Sequence, residues 1–270
     1  MFRALQWRIG VFMRRLAIRP GAIGDLIVSL PALESLRGDY LEVWCAGANV
    51  PLVRFADRVR SIGSTGLDWL GIADAPPRLI GELRSFDEIV CWYGANRPEF
   101  RELVAEMGLP FRFFQALPPD AAGCHATDFY LAQVREIAPS MASDGVPRIH
   151  CDVEGRRERL AILHPFSGSR RKDWPLERFR AVARGLERVM RVEWCRGPED
   201  PALASAIVIE DLYQLACHLA QASLYVGNDS GITHLAAAVG TPVLALFGPT
   251  DRGVWGPRGE RVRIGTWGER

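Results

Sequence analysis

The chain has 270 residues, 48% of them hydrophobic and 24% charged, and its 33 Lys and Arg nearly balance its 32 Asp and Glu. This length suits two domains, since a typical domain has roughly 100 to 150 residues. The net charge of +1 offers no general positive surface for a polyphosphate backbone, so nucleic acid is excluded as the expected partner.

The cysteines and the absence of a long apolar run predict a cytoplasmic protein. The 6 cysteines show no two-residue spacing of the kind that binds zinc or exchanges disulfides, so free thiols in a reducing compartment are expected. No apolar run approaches the roughly 20 residues that cross a bilayer. Residues 1–12 mix aromatic, aliphatic and arginine side chains and are expected to form a frayed extension; the alternative is a helix lying on the cytoplasmic face of the inner membrane.

The first half of the chain alternates strand and helix patterns. A short apolar strand is predicted over residues 16–19, a tight loop over residues 20–24, and a helix with one apolar face over residues 25–36. The same alternation predicts further strands over residues 41–45, 88–92 and 111–114, and helices over residues 98–107 and 127–137. Alternating strands and helices imply a parallel sheet that is covered on both faces.

Between residues 138 and 158 the pattern loses its periodicity and gathers Pro, Ser, Asp and Gly, as an interdomain linker does. We therefore predict a Rossmann-like domain over residues 13–140 and a second one over residues 155–262. The second half repeats the alternation, with strands predicted over residues 160–164, 191–195, 224–226 and 243–247 and helices over residues 176–189, 212–222 and 233–239. Two doubly wound α/β domains facing each other leave a cleft at the carboxyl ends of their strands, where ligands bind.

The loop after the first strand places two glycines before a carboxylate. Gly21 and Gly24 let the backbone approach a ligand closely, and Asp25 comes at the start of the helix. Asp25 can act as a helix N-cap, which stabilises a helix by about 1 kcal/mol, and can also present its carboxylate to the cleft. The loop matches neither the dinucleotide-binding nor the Walker pattern.

Residues 164–175 follow a predicted strand and combine small hydroxyl residues, a glycine and three consecutive cations. Ser167, Gly168, Ser169 and Lys172 offer hydrogen-bond donors and positive charge, which favours a diphosphate site. The alternative for this segment is a solvated basic loop.

Residues 226–234 again run from a strand through a glycine-flanked turn into a helix. Free amides and the dipole at the start of that helix, near Ser230 and Gly231, favour an anion site. The alternative is a tight turn with an N-cap. His234 lies one turn into the helix, where a structural role and a ligand contact are equally expected, and the other histidines are assigned no role.

A metal site is not predicted. The sequence has no Asp-x-Asp pair of the kind that holds a manganese ion. Neutralising a departing diphosphate would then depend on Lys172, arginines and helix N-termini.

Three segments together resemble glycosyltransferase family 9, the ADP-heptose lipopolysaccharide heptosyltransferases. They are IRPGAIGD at residues 18–25, HPFSGSRRKDWP at residues 164–175, and YVGNDSGITHLAAAVGTPVLALFGPTD at residues 225–251. The resemblance implies a GT-B fold of two Rossmann-like domains, with the donor on the C-terminal domain and the acceptor facing the N-terminal one. It also implies inversion at the anomeric carbon without metal or cofactor, with ADP-heptose as donor and a lipopolysaccharide-core or related glycan as acceptor.

The resemblance also implies residue roles. Asp25 falls at the general base, and Lys172 at the cation that stabilises the leaving group. The remaining donor-binding positions are Gly24, Ser167, Gly168, Ser169, Glu199 at the ribose, Asp229, Ser230, Gly231 and His234.

The chain departs from the family pattern in two places. It is short between Asp200 and Asp211, around the Glu199 register, and it ends within 14 residues of Gly256, so looser closure of the cleft or dependence on a partner is expected. Two rival functions stay open, a nucleotide-sugar epimerase of the same fold and a catalytically weak nucleotide-sugar binding protein. The oligomeric state is not predicted.

Overall fold

A computed structural model of the protein describes residues 12–72, 76–119, 123–139, 143–153 and 159–268. The predicted frayed extension over residues 1–12 lies outside these ranges except for its last residue. Within the described ranges the chain forms ten strands and eight α-helices, arranged as two parallel five-stranded sheets. No helix in these ranges is both long and apolar enough to span a membrane.

The first sheet is built by the N-terminal half. Its strands are β1 (Arg14–Arg19), β2 (Tyr40–Cys45), β3 (Arg58–Ser61), β4 (Glu88–Cys91) and β5 (Phe111–Phe113). The helices of this half are α1 (Ile23–Ser35), α2 (Pro77–Leu83), α3 (Pro98–Glu106) and α4 (Ala126–Val134). The strand order is β3-β2-β1-β4-β5, so the winding direction reverses between β1 and β4, with Ile18 opposite Trp44 on one side and Cys91 on the other.

The second sheet is built by the C-terminal half. Its strands are β6 (Leu160–His164), β7 (Arg191–Trp194), β8 (Leu224–Asn228), β9 (Val243–Phe247) and β10 (Val262–Thr266). The helices of this half are α5 (Leu176–Leu186), α6 (Leu212–Gln221), α7 (Gly231–Ala238) and α8 (Arg252–Trp255). The order β10-β9-β8-β6-β7 reverses between β6 and β8, and such reversal points are where parallel sheets bind ligands.

The predicted strands and helices are all found, with ends that shift by a few residues. The four elements that the sequence did not predict are β3, β10, α2 and α8. β3 and β10 are edge strands whose side chains are half-buried or exposed, and two arginines interrupt the apolar pattern of β3. A strand buried on neither face carries no continuous apolar run, which is why the pattern was missed.

Helix α1 is buried almost completely, rather than on the one face that was predicted. Every residue from Leu26 to Leu33 is buried, because α1 packs against both α4 and α7. α7 consists largely of small residues, and Ala236 to Ala238 are all buried. One hydrophobic cluster therefore runs through both halves of the molecule.

Two further ties cross between the halves near the end of the chain. The Arg258 guanidinium holds the Asp128 carboxylate at 2.7 and 2.5 Å, and this hydrogen bond lowers the pKa of Asp128. The His125 ring bonds the Gly256 carbonyl at 2.7 Å. These contacts join the end of the chain to the start of α4 in the described residues; the looser closure expected from the sequence stays a prediction. The domain boundary itself stays a prediction.

Candidate functional site

A cavity of about 310 Å³ lies where the carboxyl ends of the two sheets face each other. The start of α1 forms its first wall, together with Leu117 from the loop after β5. The loop after β6 and the start of α7 form its second wall. The predicted site residues that line this cavity are Gly24, Asp25, Gly168, Lys172, Asp229, Ser230, Gly231 and His234. Predicted site residues from both halves, from Gly24 to His234, thus meet in one place.

Asp25 projects from the first turn of α1. The N-cap of this helix is Ala22, and Asp25 is its third residue, so the predicted alternative of Asp25 as the N-cap is wrong. One oxygen of the Asp25 carboxylate accepts the Ala22 N–H at 3.0 Å. Gly21 adopts φ +126°, which favours glycine, and a Cβ there would lie 3.1 Å from the same carboxylate oxygen. The turn therefore fixes where this carboxylate points.

The start of α7 is organised by hydroxyl groups. Ser230 is its N-cap, and the Ser230 hydroxyl accepts the Thr233 N–H at 3.3 Å. The turn with an N-cap and the helix start near Gly231, both considered from the sequence, are therefore present together. The Thr233 hydroxyl donates to the Asn228 carbonyl. Ser230 and Gly231, at the start of this helix, line the cavity, where the helix dipole favours negative charge.

Asn228 joins the two loops of the second wall. It is fully buried; its amide donates to the Pro165 carbonyl at 2.8 Å and accepts the Trp174 N–H at 3.0 Å. The sequence contained Asn228 inside the third segment but gave no reason to assign it a role. The loop after β6 and the turn after β8 are therefore held at a fixed spacing.

The second wall carries an ion pair and a neutral histidine. The Lys172 ammonium lies 2.9 Å from the Asp229 carboxylate, which is nearly buried. Burial lowers the pKa of His234 from its ordinary 6.5 to about 4, although the carboxylates of Asp229 and Asp25 oppose the shift. At neutral pH His234 is an uncharged donor and acceptor on the cavity wall.

The two helix starts meet at Gly24 and Gly231, and it is Gly231 that allows them to touch. A Cβ on Gly231 would come 2.8 Å from Ile23 Cβ, closer than real Cβ atoms approach another atom, and 3.0 Å from the Gly24 nitrogen, which is a tight contact. A Cβ on Gly24 would lie at an ordinary 3.6 Å from Gly231 Cα. Both glycines were predicted from the resemblance as donor-binding residues; the structure gives Gly231 a packing reason as well.

Three predicted residues do not line the cavity. The Ser167 hydroxyl bonds the Ser169 carbonyl at 2.8 Å and the Asp173 carboxylate at 2.7 Å, so it shapes its own loop. Glu199 is exposed in a turn that is closed by its neighbour Asp200, whose carboxylate accepts the Gly197 N–H at 2.6 Å. The donor-binding roles of Ser167, Ser169 and Glu199 stay predictions.

The sequence missed four lining residues, which are Ala22, Leu117, Thr250 and Trp255. Thr250 lies inside the third segment and follows β9, so its position after a central strand was a usable signal. Trp255 lies on α8, an element that was not predicted. His125 was assigned no role, yet its Nδ1 accepts the Thr127 N–H at 3.1 Å to cap α4, while Nε2 bonds the carbonyl next to Trp255.

The described ranges contain no group of three or more His, Cys, Asp or Glu that could hold a metal ion. The metal-independent reaction expected from the resemblance stays a prediction.

Known proteins resemble this chain in sequence and in fold. Residues 125–269, more than half of the chain, match the family model described as glycosyltransferase family 9 (heptosyltransferase). Lipopolysaccharide heptosyltransferase 3 of Escherichia coli is 32% identical over 129 residues, 41% of this chain and 37% of that protein. Lipopolysaccharide heptosyltransferase 1 of Pseudomonas aeruginosa is 31% identical over 192 residues, 64% of this chain and 52% of that protein. The matched region thus spans about half or less of these relatives.

Solved structures show the same fold at low identity. A glycosyltransferase family 9 structure from Veillonella parvula superposes with a TM-score of 0.73 at 18% identity, covering 95% of this chain and 86% of that one. The E. coli ADP-heptose lipopolysaccharide heptosyltransferase II gives a TM-score of 0.69 at 16% identity, covering 93% and 90%. The predicted GT-B architecture of two doubly wound α/β domains is confirmed.

Proposed function

This chain belongs to glycosyltransferase family 9, and we propose that it transfers a sugar from a nucleotide diphosphate donor to a glycan hydroxyl, inverting the anomeric carbon without a metal ion. The observation that carries the proposal is the composition of the cavity. A carboxylate from the first half, Asp25, shares it with a cation, Lys172, and a helix N-terminus from the second half. These are the groups that proton removal and diphosphate departure require.

Asp25 acts as the general base in this proposal. Its carboxylate takes the proton of the acceptor hydroxyl while that oxygen attacks the anomeric carbon from the face opposite the leaving group. One C–O bond forms to the acceptor and one breaks to the diphosphate, and the proton moves to Asp25. The hydrogen bond from Ala22 leaves the second carboxylate oxygen with free lone pairs for this proton. A positioned base contributes about 10² to 10⁴ in rate.

The second wall stabilises the charge that develops on the leaving diphosphate. Lys172 supplies a charge-assisted hydrogen bond, and the amides around Ser230 and Gly231 supply donors that are already oriented. The Asp229 carboxylate lies 2.9 Å from the Lys172 ammonium, so the cation is already held in position before the donor binds. Preorganised donors of this kind need little rearrangement as the bond breaks.

We further propose ADP-heptose as donor and a lipopolysaccharide-core or related glycan as acceptor. Two observations support this proposal. The matched relatives are lipopolysaccharide heptosyltransferases, and one structural neighbour is an ADP-heptose lipopolysaccharide heptosyltransferase. The cavity volume of about 310 Å³ lies at the lower end of the range of roughly 300 to 1,000 Å³ for small-molecule sites. The proposal sets the reaction in the cytoplasm, with the acceptor presented at the inner membrane.

Calorimetry and turnover test the proposal directly. Purified protein is titrated with ADP, ADP-heptose, UDP-glucose and GDP-mannose, with and without EDTA, and nucleotide release is then measured with a core glycolipid acceptor. We expect binding of ADP-heptose that EDTA does not change, and acceptor-dependent ADP release with an inverted anomeric configuration by NMR.

The other outcomes separate the rival functions. Epimerised donor without acceptor would identify an epimerase. Donor binding without any release would identify a binding protein. A preference for another nucleotide sugar would retain the transferase and overturn the heptose, while loss of activity in EDTA would overturn metal independence.

A further inference from the structure

Arg19, the last residue of β1, is a buried cation that does not line the cavity and has no role in the proposed reaction steps. It is 2% exposed. In the described part of the chain no carboxylate forms an ion pair with it, and its guanidinium instead donates to uncharged oxygens. Burying a charge in this way is costly unless its hydrogen bonds hold something that matters.

The bonds of Arg19 hold both ends of the loop that carries Asp25. The guanidinium donates to the Pro20 carbonyl at 3.3 Å, where the loop begins, and to the Asp25 carbonyl at 3.1 Å, where α1 has begun. It also donates to the Ser29 hydroxyl at 3.2 Å, one turn further along α1. One rigid planar group therefore sets the distance between the strand end and the first turn of the helix.

A second branch runs from Arg19 to the other part of the first wall. The Tyr130 hydroxyl on α4 accepts from the guanidinium at 2.9 Å and donates to the Ala116 carbonyl at 2.8 Å. Leu117, the next residue, lines the cavity. Burial raises the pKa of Tyr130, so its hydroxyl keeps the proton that it donates. The two cavity-lining parts of the first wall are thus joined through one buried guanidinium.

We propose that Arg19 is a positioning residue for the transfer reaction, which fixes the Asp25 carboxylate and the Leu117 loop relative to each other on the acceptor side of the cavity. The inference rests on the proposed role of Asp25 as base. Arg19 touches no substrate; it acts through the backbone of the loop. Misplacing a reacting group by about 1 Å can cost about 10²-fold in rate, so a small displacement of this loop is enough to be measured.

The chain supplies a matched control on the same strand. Arg15 is also buried, at 8% exposed, and donates to the Glu88 carboxylate and the Leu36 carbonyl, both at 2.7 Å. Arg15 lies near the start of β1, whereas Arg19 lies at the end of β1 that precedes the Asp25 loop. Arg15→Lys and Arg19→Lys remove the same planar fork from the same strand, and only the second removes it from the loop of Asp25.

The test measures transfer kinetics and backbone hydrogen exchange in both variants. For Arg19→Lys we expect kcat to fall by about 10- to 100-fold with the donor KM within about twofold, and faster amide exchange over residues 20–26. For Arg15→Lys both should match the wild type. Equal kcat in the two variants, with equal exchange at residues 20–26, would overturn the proposal.

Tyr130→Phe provides a second, milder variant if Arg19→Lys does not fold. It keeps the ring, which lies 4.7 Å from the Arg19 guanidinium, and removes the hydroxyl alone. We expect faster exchange at residues 115–118 and a smaller drop in kcat; unchanged exchange there would contradict the second branch. Hydrogen exchange needs no substrate, so it reports on Arg19 even if the proposed transfer reaction fails.

Discussion

The two walls of the cavity follow one plan, a strand, a glycine-containing loop and a helix start, but differ in where their charges lie. The first wall presents one carboxylate, Asp25, and its cation, Arg19, is buried behind the loop. The second wall carries its charges on the surface of the cavity, in the Lys172 and Asp229 pair at 2.9 Å. Similar backbones therefore support different chemistry, because a buried cation orders a loop while an exposed one can meet a ligand.

Because of this contrast, we expect substitutions in the two walls to affect different steps of the reaction. Damage to the first wall should lower turnover and leave donor binding intact, whereas damage to the second wall should weaken donor binding. Single substitutions in each wall can separate the two effects.

Asp25→Asn should lower kcat by about 10²- to 10⁴-fold, because the amide cannot take a proton from the acceptor. The amide oxygen still accepts the Ala22 N–H, so the turn and the fold should be kept. Donor affinity by calorimetry should be unchanged, since the second wall is intact. A variant with wild-type turnover would remove Asp25 from the mechanism.

Lys172→Met should weaken donor binding by about 10- to 100-fold, because a hydrogen bond from a charged group contributes about 1.5–3 kcal/mol. The loss should appear in the donor Kd and in kcat/KM. Arg171→Met is the matched control, since Arg171 is an exposed neighbour that does not line the cavity. Equal losses in the two variants would mean that only the net charge of the loop matters.

Gly231→Ala should destabilise the protein by about 1–3 kcal/mol, because its methyl group would meet Ile23 and the Gly24 nitrogen across the contact between the walls. Gly24→Ala should be close to neutral, because its methyl group has an ordinary 3.6 Å contact. Denaturant unfolding of the pair measures the difference. If the two variants lost equal stability, the helix starts would be less closely packed than described.

The buried His234 should make the second wall sensitive to acid. Its pKa is about 4 in the folded protein and 6.5 when exposed, so the unfolded chain binds more protons between these values and stability falls as the pH drops through that window. From pH 6.5 to 5.5 the loss should be about 1 kcal/mol. His234→Asn should remove this part of the slope. Burial also lowers the pKa of His125, but that contribution is common to both proteins and cancels.

Much of the fold could be predicted because buried strands carry continuous apolar runs and packed helices carry apolar residues at helical spacing. Strands β6 and β9 were predicted to the residue. The edge strands β3 and β10 were missed because half-exposed strands carry mixed side chains. The second apolar face of α1 depends on α7, which lies some 200 residues further along the chain, and no local pattern reports such a partner.

The candidate site was predicted in part for a similar reason. Loops with glycines and charges after strands are visible in the sequence, and they supplied Asp25, Lys172 and the start of α7. The structural uses of polar side chains were not visible. The Ser167 hydroxyl bonds the Ser169 carbonyl in its own loop, and its donor-binding role stays a prediction; Arg19 depends on Tyr130, 111 residues away. Whether a polar group is free or already bonded depends on the folded shape of its loop, as for Ser167, or on tertiary contacts, as for Arg19.

Because α1 is buried on both faces, neither half is expected to fold stably without the other. An isolated first half would expose to water the side of α1 that α7 covers, and an isolated second half would expose the small residues of α7. Recombining halves from different relatives would therefore require matched α1 and α7 sequences at the junction.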